Sequence, residues 1–252
     1  MGVRLQKDCY NKMYDKKRLE ELLLMPIMCK ARYKSIEIKN GIILTGQQFY
    51  SSPDEDMSDI AIAFYEIMYS KVLNGAKILI ENKKRMITDI TNCCFAGDTM
   101  NSFNTIANLL KDKKNELSND DKKLLEDYQE KYHCLANFWI LPTCLGRRGK
   151  KGNNFDSMDI FLNTLEEDYG GVFKKHQSYY RAWNNISSFR KAHFLEEYKQ
   201  MKTAEIRELY LKKDAKTLID ISIKIMENRA KAISESNIGE KLWEYFETLV
   251  ND

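Results

Sequence analysis

The stretch AKTLIDISIKIMENRAKAISES, residues 215–236, decides the fold class of this 252-residue chain. Leu218, Ile221 and Ile225 recur in it at helical spacing, which predicts an amphipathic α-helix with one apolar face. Residues 240–250 repeat the pattern. The chain contains only three prolines and eleven glycines, so few positions interrupt such helices. We therefore predict a mainly α fold, with more than half of the chain helical.

One segment follows a different period. In SIEIKNGIILT, residues 35–45, Ile36 and Ile38 alternate with polar residues, as in a strand with one buried face. Asn40-Gly41 is the dipeptide most typical of a two-residue hairpin turn, and an apolar run follows it. We therefore predict a small antiparallel β-hairpin between Ile36 and Leu44.

Capping residues and apolar spacing predict the remaining elements. Asp15 and Ser118 each precede a predicted helix, and Asp121 completes a capping box with Ser118. Further helices are predicted over residues 57–73, 100–110, 156–169, 187–201 and 203–212, and short strands over residues 77–80 and 86–90. No linker or internal repeat divides the chain, so we predict a single compact α-rich domain over residues 1–252, with a helical C-terminal part at residues 186–250.

Composition narrows the function classes. The net charge of +3, from 40 basic and 37 acidic side chains, is too balanced to indicate a strongly basic nucleic-acid-binding domain. None of the six cysteines forms a C-x-x-C pair, which favours free thiols over zinc or disulfides. Residues 1–15 lack the apolar run of a signal peptide, and residues 22–28 are too short to span a membrane. We therefore expect a cytoplasmic protein.

Three aspartates are candidate site residues because they stand where loops are predicted to meet helices. These are Asp54, Asp56 and Asp98. Together with Asp156 or Asp159 they offer the clustered oxygen ligands that a divalent metal such as magnesium prefers. The alternative is that each aspartate caps a helix by accepting backbone N–H bonds. We place Asp56, Asp98 and Asp159 in the candidate catalytic set.

Two further side chains have a chemical and a structural interpretation. His133 titrates near neutrality and is a candidate general base, or it lies inert at the core edge beside an apolar block that includes Phe138 and Trp139. Lys71, near a predicted helix end, either contacts a phosphate or complements the negative end of the helix dipole.

The loop GRRGKKG, residues 146–152, is the most suggestive stretch for ligand binding. Its glycines allow close backbone approach, and arginine binds phosphate in a bidentate manner, so Arg147 and Arg148 are candidate ligand-binding residues together with Asn154 just beyond the loop. The loop lacks the spacing of a P-loop, and an exposed basic loop that binds nothing is the alternative.

Several short motifs stand in a fixed order along residues 54–169. They are Asp54-Glu-Asp-Met-Ser58, Tyr69-Ser-Lys71, Leu73-Asn-Gly75, Phe95-Ala-Gly-Asp98, Pro142, Arg148-Gly149 and Asp156-Ser-Met-Asp-Ile-Phe161. This order resembles an uncharacterised bacterial family, a domain of unknown function. The chain departs from the family pattern at Tyr69, where the family has tryptophan, and it lacks an arginine between Asp156 and Asp159. The resemblance implies a shared fold and shared polar positions, but it brings no activity.

Two functions are therefore open. In the first, the protein binds or acts on a phosphate-bearing ligand, a nucleotide or nucleic acid, through clustered Asp and Arg residues. In the second, it is a non-catalytic module that binds a protein partner, for example one encoded beside a defence or mobile-element system. Clustering of Asp56, Asp98, His133, Arg148 and Asp159 in one cleft would favour the first function, and scattering them would favour the second.

Overall fold

The structure is a computed structural model. It describes residues 14–27, 38–39, 42–43, 55–73, 77–81, 84–88, 94–100, 118–142, 162, 165–166, 183–196, 208–209, 212 and 214–251. Every structural statement below concerns these described residues.

Helices make up most of the described residues, which confirms the predicted mainly α fold. The α-helices with defined bounds are α1 (Lys16–Leu24), α2 (Asp59–Met68), α3 (Ser70–Leu73), α4 (Asn119–Lys131), α5 (Ile186–Ala192), α6 (Ala215–Ser234) and α7 (Asn237–Asn251). Two short 3-10 turns, Glu55–Met57 and Leu135–Asn137, precede α2 and strand β6 respectively. Apart from Met100, the predicted helix 100–110 lies outside the described residues, as do most of 156–169 and 203–212.

The predicted hairpin is present. Strands β1 (Ile38–Lys39) and β2 (Ile42–Ile43) pair antiparallel, with Ile38 opposite Ile43 and Lys39 opposite Ile42. Residues 40 and 41 therefore connect the strands, where Asn-Gly was predicted to turn the chain.

A second antiparallel sheet contains more β structure than the sequence predicted. Its strands lie in the order β3 (Lys77–Glu81), β4 (Lys84–Thr88), β5 (Cys94–Thr99) and β6 (Phe138–Pro142). The first two match predicted strands to within two residues, but β5 and β6 were missed. Glycine and aspartate within β5 disfavour strands, and this strand depends on pairing with distant residues 138–142.

Capping explains where the helices begin. Asp15 accepts a hydrogen bond from the Arg18 N–H (2.9 Å), and Ser118 forms the predicted capping box with Asp121. The helix predicted from residue 57 instead begins at Asp59, because Ser58 is its N-cap and accepts from the backbone N–H of Ala61.

Helix α6 lies at the centre of the helical packing, where it contacts α1, α4, α7 and the Leu135–Asn137 turn. Its apolar face buries Leu218, Ile225 and Ile233, while residues such as Lys224 and Glu227 remain exposed. Within the described ranges, no helix has both the length and the apolar character that crossing a membrane requires.

Arg229 of α6 is a charged side chain in the core, with only 1% of its surface exposed. Its guanidinium donates to the carbonyl oxygens of His193 (2.9 Å), Ala136 (2.8 Å) and Phe138 (2.7 Å). It also donates to the Tyr69 hydroxyl at 3.0 Å. These bonds offset the desolvation of the buried cation and give three backbone carbonyls a charged donor.

Replacing Arg229 with methionine should lower the free energy of unfolding by about 2–4 kcal/mol, because several buried acceptors lose their donor at once. Urea titration followed by circular dichroism measures this loss. Arg18→Met is the matched control, since the Arg18 side chain is 56% exposed and pairs with exposed Glu21. Exposed ion pairs contribute about 1 kcal/mol or less. Equal losses in the two variants would contradict a structural role for the buried guanidinium.

Candidate functional site

The turn Glu55–Met57, which we call the acidic turn, is held against the start of α2. The Ser58 hydroxyl donates to the Glu55 carbonyl at 2.7 Å, and the Tyr65 hydroxyl donates to the Asp56 carbonyl at 2.8 Å. Both bonds join the backbone of the turn to side chains of α2 or its cap. The two acidic side chains therefore leave the backbone at fixed positions.

Strand β5 meets the acidic turn at Gly97. The Gly97 N–H points at the Met57 sulfur, 3.0 Å away. A Cβ added to Gly97 would lie 2.7 Å from the Tyr65 hydroxyl oxygen and would overlap the Asp56 carbonyl oxygen. Only a glycine permits this close approach of β5 to the acidic turn.

Asp56 and Asp98 both lie near enough to Tyr65 for their charges to act on its hydroxyl. Both aspartates are half-buried, and the Asp98 carboxylate accepts from the Thr99 N–H at 2.8 Å. Burial is the main cause that raises the pKa of Tyr65 well above 10, and the charges of Asp56 and Asp98 add to it. Two of the predicted catalytic residues therefore share one neighbourhood.

His133 joins this neighbourhood through Glu55. The His133 Nδ1 atom lies 3.6 Å from a carboxylate oxygen of Glu55, whose side chain is 4% exposed, against 16% for the histidine. Burial lowers the pKa of His133 to about 3, so its imidazole is neutral at pH 7. The His133 carbonyl accepts from the Ile27 N–H at 2.8 Å, which fixes the backbone beside it.

The predicted structural role of His133 also has support, because the imidazole lies at the core edge. Its ring centroid is 3.8 Å from that of Tyr132 and 6.1 Å from that of Phe138. The apolar block after it is buried as predicted, including Leu135, Phe138 and Trp139. His133 is therefore both a core-edge residue and a neighbour of a buried carboxylate.

Sequence reasoning missed Glu55. Glu55 stands between two aspartates in a polar stretch of the sequence. Nothing in the neighbouring residues indicates that Glu55 becomes buried, with 3% of its surface exposed. Its burial depends on tertiary packing of the acidic turn against β5. Three acids in a row before a Ser-capped helix were the available signal, and it does not say which of them points inward.

The predicted capping alternative is wrong for Asp98, which lies inside strand β5, opposite Trp139. Asp98 was assigned to a loop–helix junction because β5 has no strand-like alternation in its sequence. Asp56 does lie before a helix, in the acidic turn, but the N-cap of α2 is Ser58.

The other candidates are not part of this neighbourhood. Lys71 is exposed on α3, and the structure gives it no hydrogen bond or ion pair with a described residue. The remaining candidates lie outside the described residues, and their roles stay predictions: Asp54, Arg147, Arg148, Asn154, Asp156 and Asp159. In the part of the chain that the structure covers, no group of three or more His, Cys, Asp or Glu side chains is arranged to hold a metal ion.

A second histidine, His193, is fully buried and was not singled out in the sequence. Its Nδ1 atom lies 2.8 Å from the Phe189 carbonyl, which accepts only, so Nδ1 carries the hydrogen. Aromatic rings surround the imidazole in what we call the His193 cluster: Tyr69, Trp139, Trp183 and Phe189. Burial, with a smaller contribution from the Arg229 charge, lowers the pKa of His193 to about 3.

The His193 cluster makes stability depend on pH. An unfolded histidine titrates near 6.5, so between about pH 6.5 and 3 the unfolded chain binds a proton that the folded His193 does not. Stability should therefore fall on acidification through this window, by up to about 1.4 kcal/mol per pH unit for this group. His193→Phe should make the pH dependence of the unfolding free energy less steep by that amount between pH 6 and 4. An unchanged slope in urea titrations would contradict the buried neutral imidazole.

Comparison of this chain with protein-family models, curated proteins and solved structures found no match. The resemblance to a bacterial domain of unknown function therefore stays a prediction. The function has to be argued from the chemistry of the acidic turn, Asp98 and His133.

Proposed function

We propose that the protein binds a phosphate-bearing ligand, a nucleotide or a nucleic acid. His133 would act as the general base that moves a proton during a reaction of this ligand. The observation that carries the proposal is the Glu55–His133 contact, 3.6 Å between a buried carboxylate and a partly exposed imidazole. Glu55 lies on the same turn as Asp56, whose carbonyl accepts from the Tyr65 hydroxyl, and the charge of Asp98 also acts on that hydroxyl. Acid–base groups next to further carboxylates are typical of an active site.

The Glu55–His133 pair supports a role in proton transfer. A neutral imidazole can take up a proton, and the buried carboxylate beside it would stabilise the imidazolium that forms. The 3.6 Å separation is longer than a hydrogen bond, but catalytic hydrogen bonds are often long before a ligand binds. Glu55 would then orient His133 much as the acid of a catalytic triad orients its histidine.

Asp56 and Asp98 support a ligand that arrives with a divalent cation. Two negative side chains repel a bare phosphate, whereas magnesium commonly takes one or two protein carboxylates together with phosphate oxygens. Asp56 and Asp98 would hold such an ion, which would neutralise phosphate charge when bound. Asp156, Asp159 and the arginines of the 146–152 loop would complete the site under this proposal.

The proposed non-catalytic module has less support. Such a module needs an exposed apolar or charged face, and large exposed apolar patches mark interaction sites. Across the described ranges, Met25 is the one large apolar side chain that is exposed. We therefore treat the interaction module as the alternative outcome of the experiment.

Magnesium with ATP, or with a short single-stranded DNA, should raise the melting temperature of the wild-type protein by about 5–10 °C at about 100 times the Kd. Asp98→Asn should lose most of this rise because the carboxylate charge is gone while its shape is kept. His133→Gln should keep most of it but lose any release of inorganic phosphate from ATP. Differential scanning fluorimetry and a phosphate assay measure the two effects.

Asp127→Asn is the control, because Asp127 is an exposed residue in the middle of α4. It should respond to ligand like the wild type. No response of the wild-type protein to either ligand would overturn the proposal and favour the interaction module. An equal response in Asp98→Asn and wild type would place the ligand elsewhere.

A further inference from the structure

Tyr65 and Tyr69 are two buried tyrosines one turn apart at the end of α2, and each hydroxyl has a different partner. The Tyr65 hydroxyl donates to the Asp56 carbonyl at 2.8 Å, and the Tyr69 hydroxyl accepts from Arg229 at 3.0 Å. Their ring centroids are 6.1 Å apart, so both rings belong to the same packed layer. The two rings therefore have the same packing role, whereas the two hydroxyls bond different parts of the protein.

The Tyr65 hydroxyl occupies the point where three pieces of the candidate site meet. It contacts the backbone of the acidic turn, lies where a side chain on Gly97 would be, and is close enough to Asp56 and Asp98 for their charges to act on it. Its hydrogen bond ties Asp56 to α2, while the Gly97 N–H contact with Met57 ties the same turn to β5. Ser58 also joins the turn to the start of α2, because its hydroxyl and its backbone N–H both donate to the Glu55 carbonyl.

From this geometry we propose that Tyr65 is a positioning residue, whose hydroxyl sets the placement of Glu55 and Asp56 relative to Asp98 and His133. Catalytic constellations tolerate errors of only about 0.5 Å, so loss of one tie at the turn is enough to misplace a carboxylate. The ring of Tyr65 fills the core, and only its oxygen acts on the site. The expected effect of Tyr65 on ligand binding rests on the proposed function, whereas its effect on the position of the acidic turn does not.

Tyr65→Phe tests the proposal and Tyr69→Phe is the matched control. Each change removes one buried hydroxyl and one hydrogen bond from α2 and keeps the ring. Both variants should melt within a few degrees of each other, at about 2–4 °C below the wild type. A role in core stability alone predicts no other difference between them.

The first measurement needs no ligand. In ¹⁵N NMR spectra, Tyr65→Phe should shift the amide signals of Asp56, Gly97 and Asp98 and the ring nitrogen signals of His133. Tyr69→Phe should leave those signals in place and shift the Arg229 Nε signal instead. Unchanged site signals in Tyr65→Phe, or the same changes in both variants, would overturn the positioning role.

The second measurement is the Kd for ATP with magnesium. We expect Tyr65→Phe to weaken binding about tenfold and Tyr69→Phe by less than about twofold. Equal Kd values in the two variants would contradict an effect of Tyr65 on the ligand site. If the wild type binds no ATP, the proposed function fails, and the ligand-free spectra alone decide whether Tyr65 positions the turn.

Discussion

The structure depends most on one interaction, the donation of hydrogen bonds from the buried Arg229 guanidinium to backbone carbonyls. A cation in the core is costly unless its N–H groups are used, and here they reach the backbone of two remote segments, at His193 and at Ala136 and Phe138. Because His193 ends α5, the positive charge also meets the negative end of that helix dipole. A hydrophobic side chain of similar size would leave these carbonyls unsatisfied.

The segments that Arg229 bonds are adjacent to the candidate site, either along the chain or through strand pairing. Phe138 begins β6 and lies opposite Thr99, the residue after Asp98. One residue, Cys134, separates His133 from the Leu135–Asn137 turn. On the other side, Tyr69 ends the helix whose Tyr65 holds Asp56. Arg229 touches no acidic residue of the site, but it fixes the backbone segments from which these side chains project.

Sequence reasoning succeeded where structure is local. Helices α6 and α7 follow from apolar spacing, and the Asp15 and Ser118 caps follow from residue type at a helix start, since both effects act within a few positions. It failed where the determinant is remote. Strand β5 depends on β6, which lies about 40 residues later. The close approach of Gly97 to the acidic turn likewise depends on two segments that are about 40 residues apart.

The candidate site shows the same division. Asp56, Asp98 and His133 were selected from the sequence by chemical type, and the fold brings them to one neighbourhood. Glu55, the acid nearest to His133, and the His193 cluster were not selected, because burial decides their roles and a single sequence does not display burial.

Hydrogen exchange at the Arg229 side chain is the most direct test of whether this guanidinium holds the core together. Its Nε–H, bonded to the His193 carbonyl at 2.9 Å, gives a separate signal in ¹⁵N NMR spectra, and its exchange with D₂O can be followed there. The account predicts that this hydrogen exchanges only when the whole protein unfolds, so that its protection equals the global free energy of unfolding. Exchange as rapid as that of exposed Arg18 would show that the guanidinium does not hold the core together.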